Sequence, residues 1–236
     1  ACAAKHASAE TVFFRRSVKM WLSGRAAGFR VRPMFARTPL AVILFALLIA
    51  ACATPTTDPR RLPAGSWVLD DAHASVIWRV RHFGLSWYTG RFDSLAASLD
   101  FDPANPQAAR LTAIIDAASI STGNAGFDRD LASDWLHADQ HPQIIFTSER
   151  IELIDPTHGR AFGHIAMNGR TIDAVMEIEF YGGSYNMLAG RDTIGFGADM
   201  VIDRTDFAVG SLPASIVGTE IRIHIEAEFL RQGAPS

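Results

Sequence analysis

The stretch Glu220-Ile221-Arg222-Ile223-His224-Ile225-Glu226-Ala227-Glu228-Phe229 alternates polar and apolar residues without a break. Successive side chains of a strand point to opposite sides, so only a backbone of period two sorts this sequence into two clean faces. Ile221, Ile223, Ile225, Ala227 and Phe229 then share an apolar face, and Arg222, His224 and Glu226 lie on a charged one. A slip of one residue would reverse every assignment, so the stretch dictates register as well. The same split recurs in Ile194/Phe196/Ala198/Met200/Ile202, in Ala174/Met176/Ile178/Phe180 against Glu177/Glu179, and in Val76/Trp78/Val80 against Arg79/Arg81. Strands with one wet face belong to antiparallel sheets.

Turn signals divide these runs at hairpin spacing: Asp102-Pro103-Ala104-Asn105-Pro106, Asp155-Pro156-Thr157-His158-Gly159, Asn168-Gly169 and Tyr181-Gly182-Gly183. One segment departs from period two. From Phe127 to Ala138, Phe127, Leu131 and Trp135 recur every four residues and line one face of a helix. The expected fold is therefore all-β, an antiparallel up-and-down barrel of about eight strands with one short helix near its mouth.

Charge separates the chain into two parts. Residues 1–51 hold Lys5, Lys19 and six arginines against Glu10, a net +7, which leaves 14 arginines and 24 acids, a net −10, in the remainder. An acidic body repels phosphates, which excludes nucleic acid as an electrostatic partner. With 48% hydrophobic residues the body can bury a core of its own. The two cysteines, Cys2 and Cys52, both precede it, so it has no disulfide, cysteine nucleophile or thiolate metal site.

From Met34 the sequence has the layout of a secretory signal: Arg37, an apolar run from Leu40 to Ala51, then Cys52. The run is shorter than the ~20 residues a membrane-spanning helix needs. Ile49-Ala50-Ala51-Cys52 resembles the lipobox of bacterial lipoproteins, which implies cleavage before Cys52 and a lipid on its thiol. Ala53 in place of aspartate implies sorting to the outer membrane. Residues 1–33 read as upstream sequence; Arg15-Arg16 lacks the apolar run that a twin-arginine signal needs directly after it. Residues 52–64 read as an extended, proline-rich tether that does not pack, 65–232 as the barrel and 233–236 as a tail.

An eight-stranded barrel is either filled by its own side chains or holds one small apolar ligand, and periodicity leaves both open. A hollow barrel would be lined by its inward set. Early in the chain this comprises Trp78, Val80, His82 and Phe92; in the middle Phe146, Ile165 and Met167, with Leu131 and Trp135 from the helix. Later it comprises Met176, Ile178, Phe196, Met200, Ile223 and Ile225. Met is the adaptable residue of binding surfaces and equally a plain core residue. His82 is either a polar handle at the cavity end or a core histidine. No catalytic residue is assigned, since there is no Gly-x-Ser-x-Gly elbow. No metal site is assigned either, with His73 and His82 expected at opposite ends of one strand. Arg129, Asp203 and Arg204 read as ion-pair or turn-stabilising residues at strand ends.

Several blocks, in order over 66–230, resemble the YceI family of secreted bacterial proteins. They are Asp70-Asp71-Ala72-His73-Ala74-Ser75-Val76 with Val80-Arg81-His82-Phe83-Gly84-Leu85-Ser86 and Gly90-Arg91-Phe92; Ile120-Ser121-Thr122-Gly123-Asn124 with Arg129-Asp130-Leu131; and His141-Pro142 leading into Phe146-Thr147-Ser148. The closing blocks are Gly163 to Thr171, Ile202-Asp203-Arg204-Thr205-Asp206-Phe207 and Val217-Gly218-Thr219-Glu220-Ile221. The departures are Ala208 where that family usually has glycine, a helix segment one residue shorter, and Leu136-His137 in place of a Phe-Asp pair. The resemblance implies a lipocalin-like barrel that binds polyisoprenoid or quinone-type lipid, with no other cofactor. The expected partners are that apolar lipid and a membrane reached through Cys52, in the periplasm; homodimer formation stays open. Two alternatives stand beside this reading: an enzyme acting on an isoprenoid lipid with His82 or His73 as acid or base, and a structural or stress-related envelope protein with a filled barrel.

Overall fold

A computed structural model describes residues 55–233. The upstream segment 1–33, the signal 34–51, Cys52 and the last three residues of the tail lie outside the described residues. Ten strands follow in order: β1 Gly65–His82, β2 Ser86–Phe92, β3 Leu95–Phe101, β4 Arg110–Asp116, β5 Ile120–Ser121, β6 Gln143–Leu153, β7 His158–Met167, β8 Arg170–Asn186, β9 Arg191–Asp203 and β10 Val217–Arg231. β10 returns to pair with β1, so the sheet closes on itself. β2 and β3 pair with successive lengths of β1, and β5 and β4 pair with β2 and β3 in turn. Each couple is one interrupted strand, which makes an up-and-down antiparallel barrel of eight staves.

β1 shows why the alternation restarts near Val76. Trp67 and Leu69 are buried at odd positions, the pairing with β10 shifts between Asp70 and Ala74, and Val76, Trp78 and Val80 are then buried at even ones. A bulge that switches parity is a device for bending a barrel strand. His73 falls at this bulge, in the middle of β1 and not at an end. Asn168-Gly169 forms the β7–β8 turn with φ of 51° and 72°, the two left-handed residues a type I′ hairpin needs.

Two expectations are corrected. Tyr181-Gly182-Gly183 is not a turn but lies inside β8, which runs on to Asn186. The pairing with β9 shifts between Phe180 and Gly182, and Gly182 has φ of 122°. Gly183 exchanges two backbone hydrogen bonds of 2.9 Å with Thr56. A Cβ on Gly182 would stand 2.9 Å from the Thr56 carbonyl oxygen. The glycines thus mark the close approach of another segment. That segment is the proline-rich stretch itself, which does pack from residue 55 onward: Asp58 caps the turn Pro59–Arg61, and Leu62 is buried beside Trp67 and Ile194.

The helix is also displaced from its expected span of 127–138. α1 covers Ala125–Asp130 and continues as a π-helical turn over Leu131–Trp135, where the Leu136 N–H donates to the Leu131 carbonyl at 3.0 Å. Asn124 sets the start, its Oδ1 accepting from the N–H groups of Gly126 and Phe127. Apolar spacing sees only the side chains that pack, so it misses the capped first turn.

On the outer wall His224 lies between two carboxylates, Nδ1 2.9 Å from Asp199 and Nε2 3.0 Å from Glu226. The Asp199 hydrogen bond is the main cause that raises its pKa above 6.5; partial burial opposes it and Glu226 adds to it. A pKa raised on folding gives stability that is complete below the unfolded value and is lost as pH rises through the folded one. Asp199→Asn should therefore lower Tm more at about pH 5.5 than at about pH 9, on either side of the histidine range. Equal losses at both, read from thermal unfolding, would show that the charge plays no part.

Candidate functional site

The barrel is not filled. Its inward side chains leave two chambers on one axis, about 340 Å³ at the end covered by α1 and about 200 Å³ at the opposite end. An apolar cavity of ~150 Å³ holds benzene, so each chamber has room for part of a ligand. Val76, Ile115, Ile144, Ile165 and Ile223 belong to the walls of both, and at this waist the two chambers adjoin. Branched side chains stand at this level, whereas the small residues Ala97, Ala113 and Ala198 line the lower chamber.

The cover of the upper chamber is built from two pieces. α1 and its π-turn direct Phe127, Leu131, Trp135 and Leu136 into the barrel end. Asp128 ties this piece down by accepting from the N–H and hydroxyl of Thr122 at 2.7 and 2.6 Å. The second piece is the β9–β10 loop, organised by Arg204. This arginine is 2% exposed, and all five of its N–H groups go to backbone carbonyls: Nε to Gly218, Nη1 to Val209 and Gly210, Nη2 to Leu212 and Val217. Its guanidinium also faces the Trp135 ring at 6.0 Å, which joins the pieces. Asp203 opens the same loop, accepting from the Thr205 N–H and hydroxyl. Ala208 adopts φ of 54° there, a left-handed position that accounts for the glycine usual in the resembled family.

Every inward residue named from the sequence is found in these walls. Trp78, Val80, His82, Phe92, Leu131, Trp135 and Met167 line the upper chamber; Phe146, Met176, Ile178, Phe196, Met200 and Ile225 line the lower one; Ile165 and Ile223 stand at the waist. Tyr88, Ile202 and Ile221 above, and Leu111, Ala113 and Phe180 below, were missed. Ile202, Ile221 and Phe180 carried the same alternation, and Leu111-Thr112-Ala113-Ile114-Ile115 carried a weaker one.

The polar groups do not gather around the chambers. His82 is exposed at the upper rim, its ring edge-on to Phe83 at 4.7 Å. His73 lies outside the barrel, where Nδ1 is 2.9 Å from Asp70. Asp70, followed by Glu228, raises its pKa. Asp70, His73 and Glu228 bring three ligand atoms within 4.8 Å, a set that could hold a cation. Its geometry is equally that of an imidazolium between carboxylates, and it became legible only once the bulge set β1 beside β10. At the lower rim Asp155 accepts from Thr157 and His158, with the Thr157 backbone first among the causes that bring its pKa down to about 2.

The YceI-like domain describes residues 67–229 of this chain. Protein YceI of Shigella flexneri is 31% identical over 163 residues, 68% of this chain and 83% of its own. BcnA of Burkholderia cenocepacia superposes with a TM-score of 0.62 at 23% identity, covering 68% of this chain and 98% of its own. A polyisoprenoid binding domain from Saccharophagus degradans, implicated in plant cell wall breakdown, superposes with a TM-score of 0.52 at 12% identity, covering 72% of this chain and 100% of its own.

Proposed function

This chain belongs to the YceI-like domain family, and from that premise we propose that it binds one long-chain apolar lipid of isoprenoid type along the barrel axis, and sequesters or carries it in the bacterial cell envelope. The observation that carries the reading is the pair of adjoining chambers with almost wholly apolar walls. Each methylene moved from water into such a wall gains ~0.8 kcal/mol, so a long chain binds without polar chemistry. A bend or branch suits the waist, where a flexible chain can pass between isoleucines. The polyisoprenoid binding domain of Saccharophagus degradans has the same fold, and its ligand class supports this one. The family and its structural neighbours point to a binding protein. His73 stands outside the barrel and His82 has no carboxylate partner at the rim, so neither favours the enzyme reading.

The address is part of the proposal and rests on the sequence alone: cleavage after Ala51, a lipid on Cys52 and retention on the periplasmic side of the outer membrane. Native mass spectrometry of the gently purified chain, with solvent extraction of the same sample, tests the binding reading. The expected result is a single apolar lipid at about one per barrel. Protein of bare polypeptide mass that also fails to take up a long-chain isoprenoid after refolding would overturn it.

A further inference from the structure

The β8–β9 turn presents its apolar side chains to solvent. Tyr185 is 58% exposed, Met187 72% and Leu188 101%. Scattered exposed apolar residues are ordinary, whereas three within four positions at a hairpin tip mark a contact surface. No charged residue falls between Gly182 and Gly190, and the first acid beyond, Asp192, is paired with Arg231 at 3.7 Å. The tip can therefore leave water without stripping a charged group. In an up-and-down sheet alternate turns share an end, so the β6–β7 turn lies at this end too. There Leu153 both lines the lower chamber and is exposed at its rim, next to exposed Ile154.

The segment before the barrel says what covers this end. Thr56 and Gly183 form an antiparallel bridge with two hydrogen bonds of 2.9 Å. β8 runs from Gly183 toward the tip, so the chain that leads into Thr56 comes from the tip's side. The two lengths also match. Cys52 is four residues before Thr56 and Met187 is four residues after Gly183, and four extended residues span at most ~14 Å. A lipid on Cys52 thus holds a bilayer within reach of Met187 and Leu188. The β1–β2 turn carries the exposed Phe83 and Leu85, but it lies at the upper end, across the 18-residue length of β1, where so short a tether does not reach.

Resting on the lipid-anchor reading above, we propose that the β8–β9 tip is a membrane-docking element: Tyr185, Met187 and Leu188 enter the bilayer that holds Cys52. Met187 and Leu188 supply apolar bulk, and Tyr185 places its ring among the acyl chains and its hydroxyl at the head groups. Docking turns the lower mouth, with Leu153 at its rim, toward the same bilayer. An apolar lipid then passes between membrane and barrel at this end without crossing water.

The test uses the full chain expressed with its N-terminus, extracted from membranes and reconstituted into vesicles of phosphatidylethanolamine and phosphatidylglycerol. The vesicles contain a lipid with a nitroxide near the top of its acyl chain. Intact mass first establishes the adduct on Cys52. An environment-sensitive dye on Ala189→Cys should shift to the blue and be quenched by the nitroxide, and the same dye on Ser86→Cys, at the upper end, should report water. Adding Met187→Ser and Leu188→Ser should lower the docked-to-undocked ratio read from the dye at 189 about a hundredfold, the loss of two apolar side chains from the bilayer. Both positions are exposed, so the urea midpoint should not move. With the adduct present, a dye at 189 that stays in water, or quenching at 86 in its place, overturns the docking element and leaves the anchor standing; an unchanged ratio in the serine variant overturns the roles of Met187 and Leu188. A chain without the adduct overturns the anchor reading and the docking that rests on it, whatever the barrel is found to bind.

Discussion

Arg204→Met should destabilise the protein by about 3–5 kcal/mol, the scale of losing several buried hydrogen bonds from a charged donor at ~1.5–3 kcal/mol each. Methionine keeps the apolar stem but not the guanidinium, so the loss reports the hydrogen bonds together with the small cavity left in their place. Five carbonyls, on Gly218, Val209, Gly210, Leu212 and Val217, would lose their donor at once, and an unpaired buried acceptor costs ~1–3 kcal/mol. The total stays below the sum of five such penalties because the loop can relax toward water. Arg204→Lys should recover little, since an ammonium offers three donors from one point and cannot match a planar fork. Arg160→Met gives the contrast: Arg160 pairs with Glu177 at 2.8 Å, but the two side chains are 43% and 55% exposed, so the change should stay within ~0.5 kcal/mol. Urea unfolding measures all three. Hydrogen exchange should show residues 205–216 losing protection first in Arg204→Met, with β7 and β8 unchanged. A uniform loss would mean that Arg204 supports the barrel as a whole and not the cover.

How far the sequence carried depends on how local each feature is. β10, β9 and β8 as far as Phe180 were legible because their alternation runs unbroken over those lengths. The single switch of parity at Asp70–Ala74 hid half of β1, because a bulge is set by the partner strand, β10, more than 140 residues away. Gly182 and Gly183 were misread for the same reason: glycine favours a turn locally, and here it admits the backbone of Thr56. The stretch beginning at Pro55 looked unable to pack because its composition says nothing of the groove into which Leu62 fits. Arg204 was visible as a strand-end residue, but its five acceptors come from a loop whose path it dictates. The inward residues named from the sequence all line the chambers, yet alternation cannot say whether such a set meets in the middle. That depends on the bore left by Ala97, Ala113 and Ala198 opposite bulky neighbours, a matter of long-range packing.

The waist makes the second large effect, a change in how affinity grows with ligand length. In the wild type each added methylene that reaches a wall contributes ~0.8 kcal/mol, so affinity for a series of isoprenoid ketones should climb until the chain occupies both chambers. Ile165 is 4% exposed and borders both of them. Ile165→Trp places an indole across the passage, so a chain in one chamber can no longer extend into the other. The series should then climb as before for the shortest members and level off. At the length where one five-carbon unit is first denied its wall, the deficit reaches at most ~4 kcal/mol, close to a thousandfold in Kd. Overpacking a filled core would instead cost ~1–3 kcal/mol of folding stability with no dependence on ligand length. Here the indole has existing space to enter, so lipid-free wild type and variant should unfold at similar urea concentrations. Paired titrations and unfolding curves separate the cases. Parallel length series in the two proteins would mean that ligand does not cross the waist and that only one chamber binds it.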